Sequence, residues 1–123
     1  IAAVSQIKPS LDLPGINLLD SQKRKDRKRI FGASYSVYNM TPGNSNGTLQ
    51  YQWCIEGDWK LLLRYNGLDT THYKQLHVWD KEPVRLYNLK LDPHEKNEVS
   101  NENLEVIERI KNEIHKWHLV KKE

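Results

Sequence analysis

The most regular pattern in the chain runs from Thr48 to Glu56, where Leu49, Tyr51, Trp53 and Ile55 alternate with Gln50, Gln52, Cys54 and Glu56. A period of two is that of a half-buried strand, so this stretch predicts a strand with its four apolar side chains turned inward. Gly57-Asp58 reads as a tight turn, and Trp59 to Tyr65 as a second strand returning antiparallel to the first. In this second strand Leu61 and Leu63 share one face, while Lys60, Leu62 and Arg64 share the other. Arg29 to Ala33 predicts a strand ahead of the pair, and Val84 to Leu89 one behind it. From about Leu104 to Leu119 the apolar period becomes helical. Leu104, Ile107, Ile114 and Trp117 fall on one face with Val106 and Ile110 flanking, and Glu102, Glu105, Glu108 and Lys111 point outward. Asn103 is the expected N-cap. The expected fold is α+β: a small antiparallel sheet of about four strands with a long C-terminal amphipathic helix packed on one face.

Between these elements the chain is punctuated by turn residues. Pro9 and Pro14-Gly15 mark a loop, and residues 36–48 hold Pro42, Gly43, Asn44, Ser45, Asn46 and Gly47. Asn39-Met40-Thr41 and Asn46-Gly47-Thr48 match the glycosylation acceptor pattern, which acts only in a eukaryotic secretory pathway and is read here as unmodified. Residues 66–83 form a long connection containing His72, Tyr73, Lys74, His77 and Trp79, and connections of that length are often functional. Asp92-Pro93 stops the last strand, because proline fixes φ and pushes the preceding residue out of the helical region.

A chain of 123 residues has room for one domain and one core. The apolar fraction is 37% and the charged fraction 28%, which suits a thin two-layer domain or a piece of a larger protein. Four Trp and six Tyr suit a β-rich layer and also mark a surface able to dock on a partner. The single Cys54 excludes an internal disulfide and a cysteine metal cage, and its neighbours Trp53 and Ile55 point to a buried structural thiol. No apolar run approaches the about 20 residues of a spanning helix, so no membrane partner is expected. The chain begins mid-pattern at Ile1-Ala2-Ala3-Val4 and is expected to be a fragment.

Two motifs carry a resemblance. Gly57-Asp58-Trp59-Lys60-Leu61 is followed by Leu86-Tyr87-Asn88-Leu89 and then by Asp92-Pro93-x-Glu95-x-Asn97. In this order and spacing they resemble the C-terminal signature of sulfatases, the sulfuric-ester hydrolases of the alkaline-phosphatase-like superfamily. The usual pattern reads Leu-Tyr-Asp-Leu, and this chain has Asn88 for the aspartate. Leu13-Pro14-Gly15-Ile16-Asn17-Leu18-Leu19 resembles the family's exit from its catalytic domain. The resemblance covers most of residues 14–118, and implies a division into a segment from the preceding catalytic domain (1–22) and a C-terminal subdomain (23–123).

The resemblance also implies what is missing. Sulfatases use a Cys (or Ser)-x-Pro-x-Arg motif, matured to formylglycine, beside a carboxylate-bound calcium. Cys54 is followed by Ile55-Glu56-Gly57-Asp58, which does not match, and no Asp/Asn cluster here has metal-site spacing. This chain is therefore expected to hold no catalytic residue, no metal and no cofactor of its own, and calcium and formylglycine are expected in the parent's catalytic domain. Its implied role is to support that domain, its partner, and to complete the cleft for a sulfated substrate. Tyr38, Arg29, Lys60, His72, Tyr73, Lys74 and His77 are the cleft candidates. Related members often carry Thr-His-Asp after the first strand, where this chain has Ser36-Val37-Tyr38, so the His and Asp are absent. The sheet face opposite the helix, or the sheet edge, is expected to be apolar and to dock on the catalytic domain, with Leu62 a member of the patch. A periplasmic or secreted parent is implied, and a dimer of the fragment through its docking face would be without biological meaning.

The other readings come from different classes. Lys23 to Arg29 reads Lys-Arg-Lys-Asp-Arg-Lys-Arg, six basic residues in seven. It is either a solvated linker or the anion site of a stand-alone module for an anionic glycan or nucleic acid. With a net charge of only +3, nucleic acid is not the expected partner. A small enzyme using His72 or His77 would need a partnered nucleophile, and none has motif spacing. His115 and His118, three apart near the helix end, read as ordinary surface residues.

Overall fold

The computed structural model describes residues 15–35, 46–65 and 82–118. A short helix α1 (Ser21–Asp26) leads into strand β1 (Arg29–Tyr35), followed by β2 (Leu49–Glu56), β3 (Trp59–Arg64), β4 (Val84–Asn88) and the long helix α2 (Leu104–Trp117). The four strands form one antiparallel sheet in the order β1-β2-β3-β4, and α2 packs on it. This is the expected α+β fold. Helix α1 was not expected, because its residues are all polar and carry no apolar period. Asp20 explains its start, since the side chain accepts from the backbone N–H groups of Gln22 at 3.1 Å and Lys23 at 3.0 Å.

The register decides which side chains meet the helix. The hairpin turn at Gly57-Asp58, with Gly57 at φ 57°, pairs Glu56 with Trp59, Ile55 with Lys60, Cys54 with Leu61 and Gln52 with Leu63. Antiparallel partners point to the same face. The helix-facing side therefore reads Phe31, Cys54, Leu61 and Leu86 in one row and Ala33, Gln52, Leu63 and Val84 in the next. Cys54, Leu61, Leu63 and Leu86 form the core with Ile107, Ile110 and Ile114 of α2. Tyr51, Trp53 and Ile55 lie on the opposite face. The expectation that Leu49, Tyr51, Trp53 and Ile55 form the inward set is thus corrected for the last three. Their partners in β3 belong to the Lys60–Leu62–Arg64 side, and Leu61 and Leu63 hold the helix. Leu49 is buried after all, because a register shift between Ser34 and Tyr35 leaves Gln50 as an extra residue and returns Leu49 to the side of Gln52.

Two details of α2 also differ from expectation. Asn103 sits at the N-cap position but does not cap the helix with its side chain, which instead donates back to the Val99 carbonyl at 2.9 Å. Leu104 is 66% exposed, and Ile110, expected to flank the apolar face, is fully buried at its centre. No helix among the described residues is long and apolar enough to cross a membrane.

Gly32 in β1 faces Trp53 across the strands, and a Cβ there would lie 2.2 Å from the indole ring. The ring lies flat over the glycine, which no other residue allows. Gly32→Ala is expected to push Trp53 aside and destabilise the fold by about 1–3 kcal/mol, as overpacking does. Urea unfolding followed by Trp fluorescence checks this, and an unchanged midpoint would contradict the packing described.

Candidate functional site

The two sequence motifs converge on one corner of the sheet. Through the β3–β4 register, Trp59 lies opposite Asn88, Lys60 opposite Tyr87 and Leu61 opposite Leu86. Lys60 Nζ reaches past the sheet to the Glu95 carboxylate, with contacts of 2.7 and 2.8 Å. Asn88 Oδ1 accepts from the backbone N–H groups of Lys90 and Leu91, both at 3.2 Å. Asp92 Oδ2 accepts from Asn97 N–H at 2.6 Å. Each of these short polar side chains ties down a turn, as Asn and Asp do by offering an oxygen to the backbone two to five residues on. Asn88 serves this purpose as well as an aspartate would, because only one oxygen is used. Glu95 sits at φ 55°, an unfavourable region for a residue with a side chain, and its ion pair with Lys60 holds it there.

Glu98 completes the clasp. Its Oε1 accepts from Leu86 N–H at 3.0 Å and from Ser100 N–H at 2.7 Å, joining strand β4 to the turn that enters α2. Desolvation raises its pKa, but the hydrogen bonds from Leu86 and Ser100 outweigh it, and the carboxyl is held below its ordinary value of 4.5. The motif residues therefore build a corner in which hydrogen bonds tie the turn after β4 to the sheet.

At the other end of the sheet, buried Gln52 is satisfied on both sides. Its Oε1 accepts from Tyr65 Oη at 2.7 Å, and its Nε2 donates to the His118 carbonyl at 3.1 Å and lies 3.1 Å from His118 Nδ1. His118 is thus half-buried and ties the end of α2 to the sheet, which corrects its reading as an ordinary surface residue. Nearer the middle of α2, Glu56 lies between the guanidinium groups of Arg29 and Arg109, and Arg29 also reaches Glu113 at 3.1 Å. Sequence spacing cannot show these partnerships, since they join residues 27 to 84 positions apart.

Of the cleft candidates, Arg29 is committed to this ion-pair network on the helix side. Lys60 is committed to Glu95, and its row lies on the other face, so the structure does not bring the two together. Tyr38, His72, Tyr73, Lys74 and His77 lie outside the described residues. Cys54 is fully buried beneath α2, and burial pushes its thiol up to about 11, against the lowering effect of Arg29. A thiol so placed is inert rather than nucleophilic. Among the described residues no group of three or more His, Cys, Asp or Glu could hold a metal ion.

The surface that remains is the sheet face away from α2. Its rows read Ile30, Ile55, Lys60 and Tyr87, then Gly32, Trp53, Leu62 and Arg85, then Ser34, Tyr51 and Arg64. Trp53, Ile55, Leu62 and Tyr51 are half-buried and Ile30 is 45% exposed, so a continuous apolar band crosses three strands with cations along one side. No family model, curated protein or solved structure matches the chain at a significant level.

Two outcomes follow from the clasp. Lys60→Ala and Glu95→Ala are each expected to destabilise, and the double variant to fall short of their sum by about 0.5–1 kcal/mol, measurable as a double-mutant cycle in urea. Glu98, with its folded pKa below 4.5, stabilises the protein above that pH, and the contribution is lost as the pH falls through the folded value. Glu98→Gln is expected to flatten that part of the acid-unfolding curve, and an unchanged slope would show that its hydrogen bonds contribute nothing.

Proposed function

We propose that this chain is the C-terminal subdomain of a sulfatase, a sulfuric-ester hydrolase, and that it supports the catalytic domain rather than carrying out chemistry. The observation that carries the reading is the division of labour between the two sheet faces. One face is sealed by α2. The other presents Trp53, Ile55, Leu62 and Ile30 as an apolar band with no described helix on it. A band of that kind marks a docking surface. The order and spacing of the Gly57–Leu61, Leu86–Leu89 and Asp92–Asn97 motifs support the family, and the hydrogen bonds made by Asn88, Asp92 and Glu95 give each motif residue a structural reason to be present.

The catalytic domain of the same polypeptide is the partner, and it supplies the formylglycine nucleophile and the calcium. The described residues of this chain fit neither group. Cys54 lacks the required motif and access, and the acidic side chains are dispersed. The chain's own contribution is to hold the corner formed by β3, β4 and the Asp92–Asn97 turn rigid while the band on the far face is buried. A sulfated compound is the substrate of the whole enzyme, and a periplasmic or secreted setting goes with the same reading.

The test is hydrolysis of an aryl sulfate by the 123-residue chain alone and by the full-length, matured polypeptide with calcium. Activity is expected in the full-length protein only. Leu62→Glu in the full-length protein is expected to lower activity by more than roughly tenfold, because it places an unpaired charge in the interface. The same change should leave the circular dichroism of the isolated chain intact. Hydrolysis by the isolated chain, or none by the full-length protein, would overturn the proposal.

A further inference from the structure

The docking surface leaves the basic run from Lys23 to Arg29 without a use. Its first half lies on α1 and its second half leads into β1, the edge strand of the sheet. Arg29 is engaged by Glu56 and Glu113. Lys23, Arg24, Lys25, Arg27 and Lys28 are exposed, and none makes an ion pair with a described residue. Arg27 is positioned all the same, since its Nε donates to the Arg29 carbonyl at 3.1 Å. Five cations within six positions, against the one carboxylate of Asp26, create a local field for anions.

The run borders two hollows. One, of about 630 Å³, opens on the helix side between α1, β1 and the end of α2, and its walls include Lys23, Asp26, Arg27, Phe31 and Trp117. The other, of about 470 Å³, lies at the turn end of the sheet and includes Arg27, Lys28, Ile30, Ile55 and Glu56. Arg27 and Arg29 border both, so a ligand can run from one hollow to the other past the same pair of guanidinium groups. In the larger hollow Phe31 and Trp117 stack with centroids 5.3 Å apart and planes 11° from parallel. Trp117 remains 44% exposed, so the stack offers a flat apolar platform beside the cations.

We infer that these hollows bind an anionic oligosaccharide, with its sulfate or carboxylate groups on Lys23 and Arg27 and a sugar ring against Trp117. Three features select this ligand. The platform suits the apolar face of a ring, and the guanidinium and ammonium groups suit sulfate and carboxylate oxygens. The paired hollows suit a chain of several units rather than one small anion. Asp26 in the wall of the larger hollow offers an acceptor to sugar hydroxyls, donors that a DNA backbone lacks. Nucleic acid binding also draws on a series of exposed aromatic platforms, and the hollows provide one.

The larger hollow lies on the α2 side, clear of the docking band, whereas the smaller one shares Ile30 and Ile55 with that band, so the test uses the isolated chain and needs no catalytic domain. Isothermal titration of the 123-residue chain would use a heparin-derived hexasaccharide, a hexagalacturonate, a neutral maltohexaose and a single-stranded oligodeoxynucleotide of matched charge. Binding of the sulfated or the uronate hexasaccharide is expected, and which of them binds identifies the anionic group. Lys23→Gln with Arg27→Gln is expected to weaken that binding roughly tenfold. The control Lys90→Gln with Lys96→Gln removes the same charge from exposed positions beyond β4 and should change it little. Absence of binding by both anionic hexasaccharides, equal binding of the neutral hexasaccharide, equal loss in both variants, or tighter binding of the oligodeoxynucleotide would each overturn the inference.

Discussion

The structure depends on the contact between α2 and one face of the sheet, and that contact is set by the two-residue turn at Gly57-Asp58. The turn puts Cys54 opposite Leu61 and Gln52 opposite Leu63. Leu61 and Leu63 then require a cover, and Ile107, Ile110 and Ile114 provide it. Shifting the register by one residue would bring Trp53 and Ile55 under the helix and expel Cys54. The same turn therefore decides what the core is and what the other face is. With α2 over the Cys54 side, the aromatic residues of β2 are left to form an outward band, and that band is the basis of the docking proposal.

Polar groups make this arrangement specific. Gln52 is buried on the helix side, where a bare amide would be costly, but Tyr65 and His118 satisfy it. Glu56 lies on the same side and is met by Arg29 from β1 and Arg109 from α2. These two polar anchors hold α2 to the sheet near mid-helix and at its C-terminal end, while Ile107, Ile110 and Ile114 supply the apolar contact. At the far edge, Lys60 and Glu95, with Glu98 capping Leu86, bind the turn after β4 to the sheet. Helix and sheet are thus joined by apolar contact and by charge or hydrogen bonding at three places.

Much of this was legible in the sequence. The helix, the hairpin and the four strands follow from periodicity and turn residues. The inward face of β2 did not, because its alternation is read more easily from Tyr51, Trp53 and Ile55 than from Gln52 and Cys54. Counting across the hairpin would have found it: a two-residue turn ties position 54 to 61, and Leu61 was already placed with Leu63. The bulge at Gln50 was beyond such counting, since nothing in Leu49-Gln50-Tyr51 announces an extra residue. Helix α1 was hidden for another reason, as a helix made only of polar residues has no apolar period. Arg29 and Lys60 were recognisable as cations, but their partners Glu113 and Glu95 are distant in sequence and only the fold reveals them.

The central claim, that α2 covers the Gln52–Cys54 side of β2 and leaves Trp53 outward, is tested most directly by the thiol of Cys54. Reaction with a chromogenic disulfide reagent in native buffer should be negligible, since the residue has no exposed surface, and should become complete and stoichiometric in denaturant. The rate in intermediate urea should follow the opening of the helix from the sheet. Rapid labelling of the native chain would place Cys54 on the open face and Trp53 beneath the helix. It would contradict both the register and the docking surface built on it.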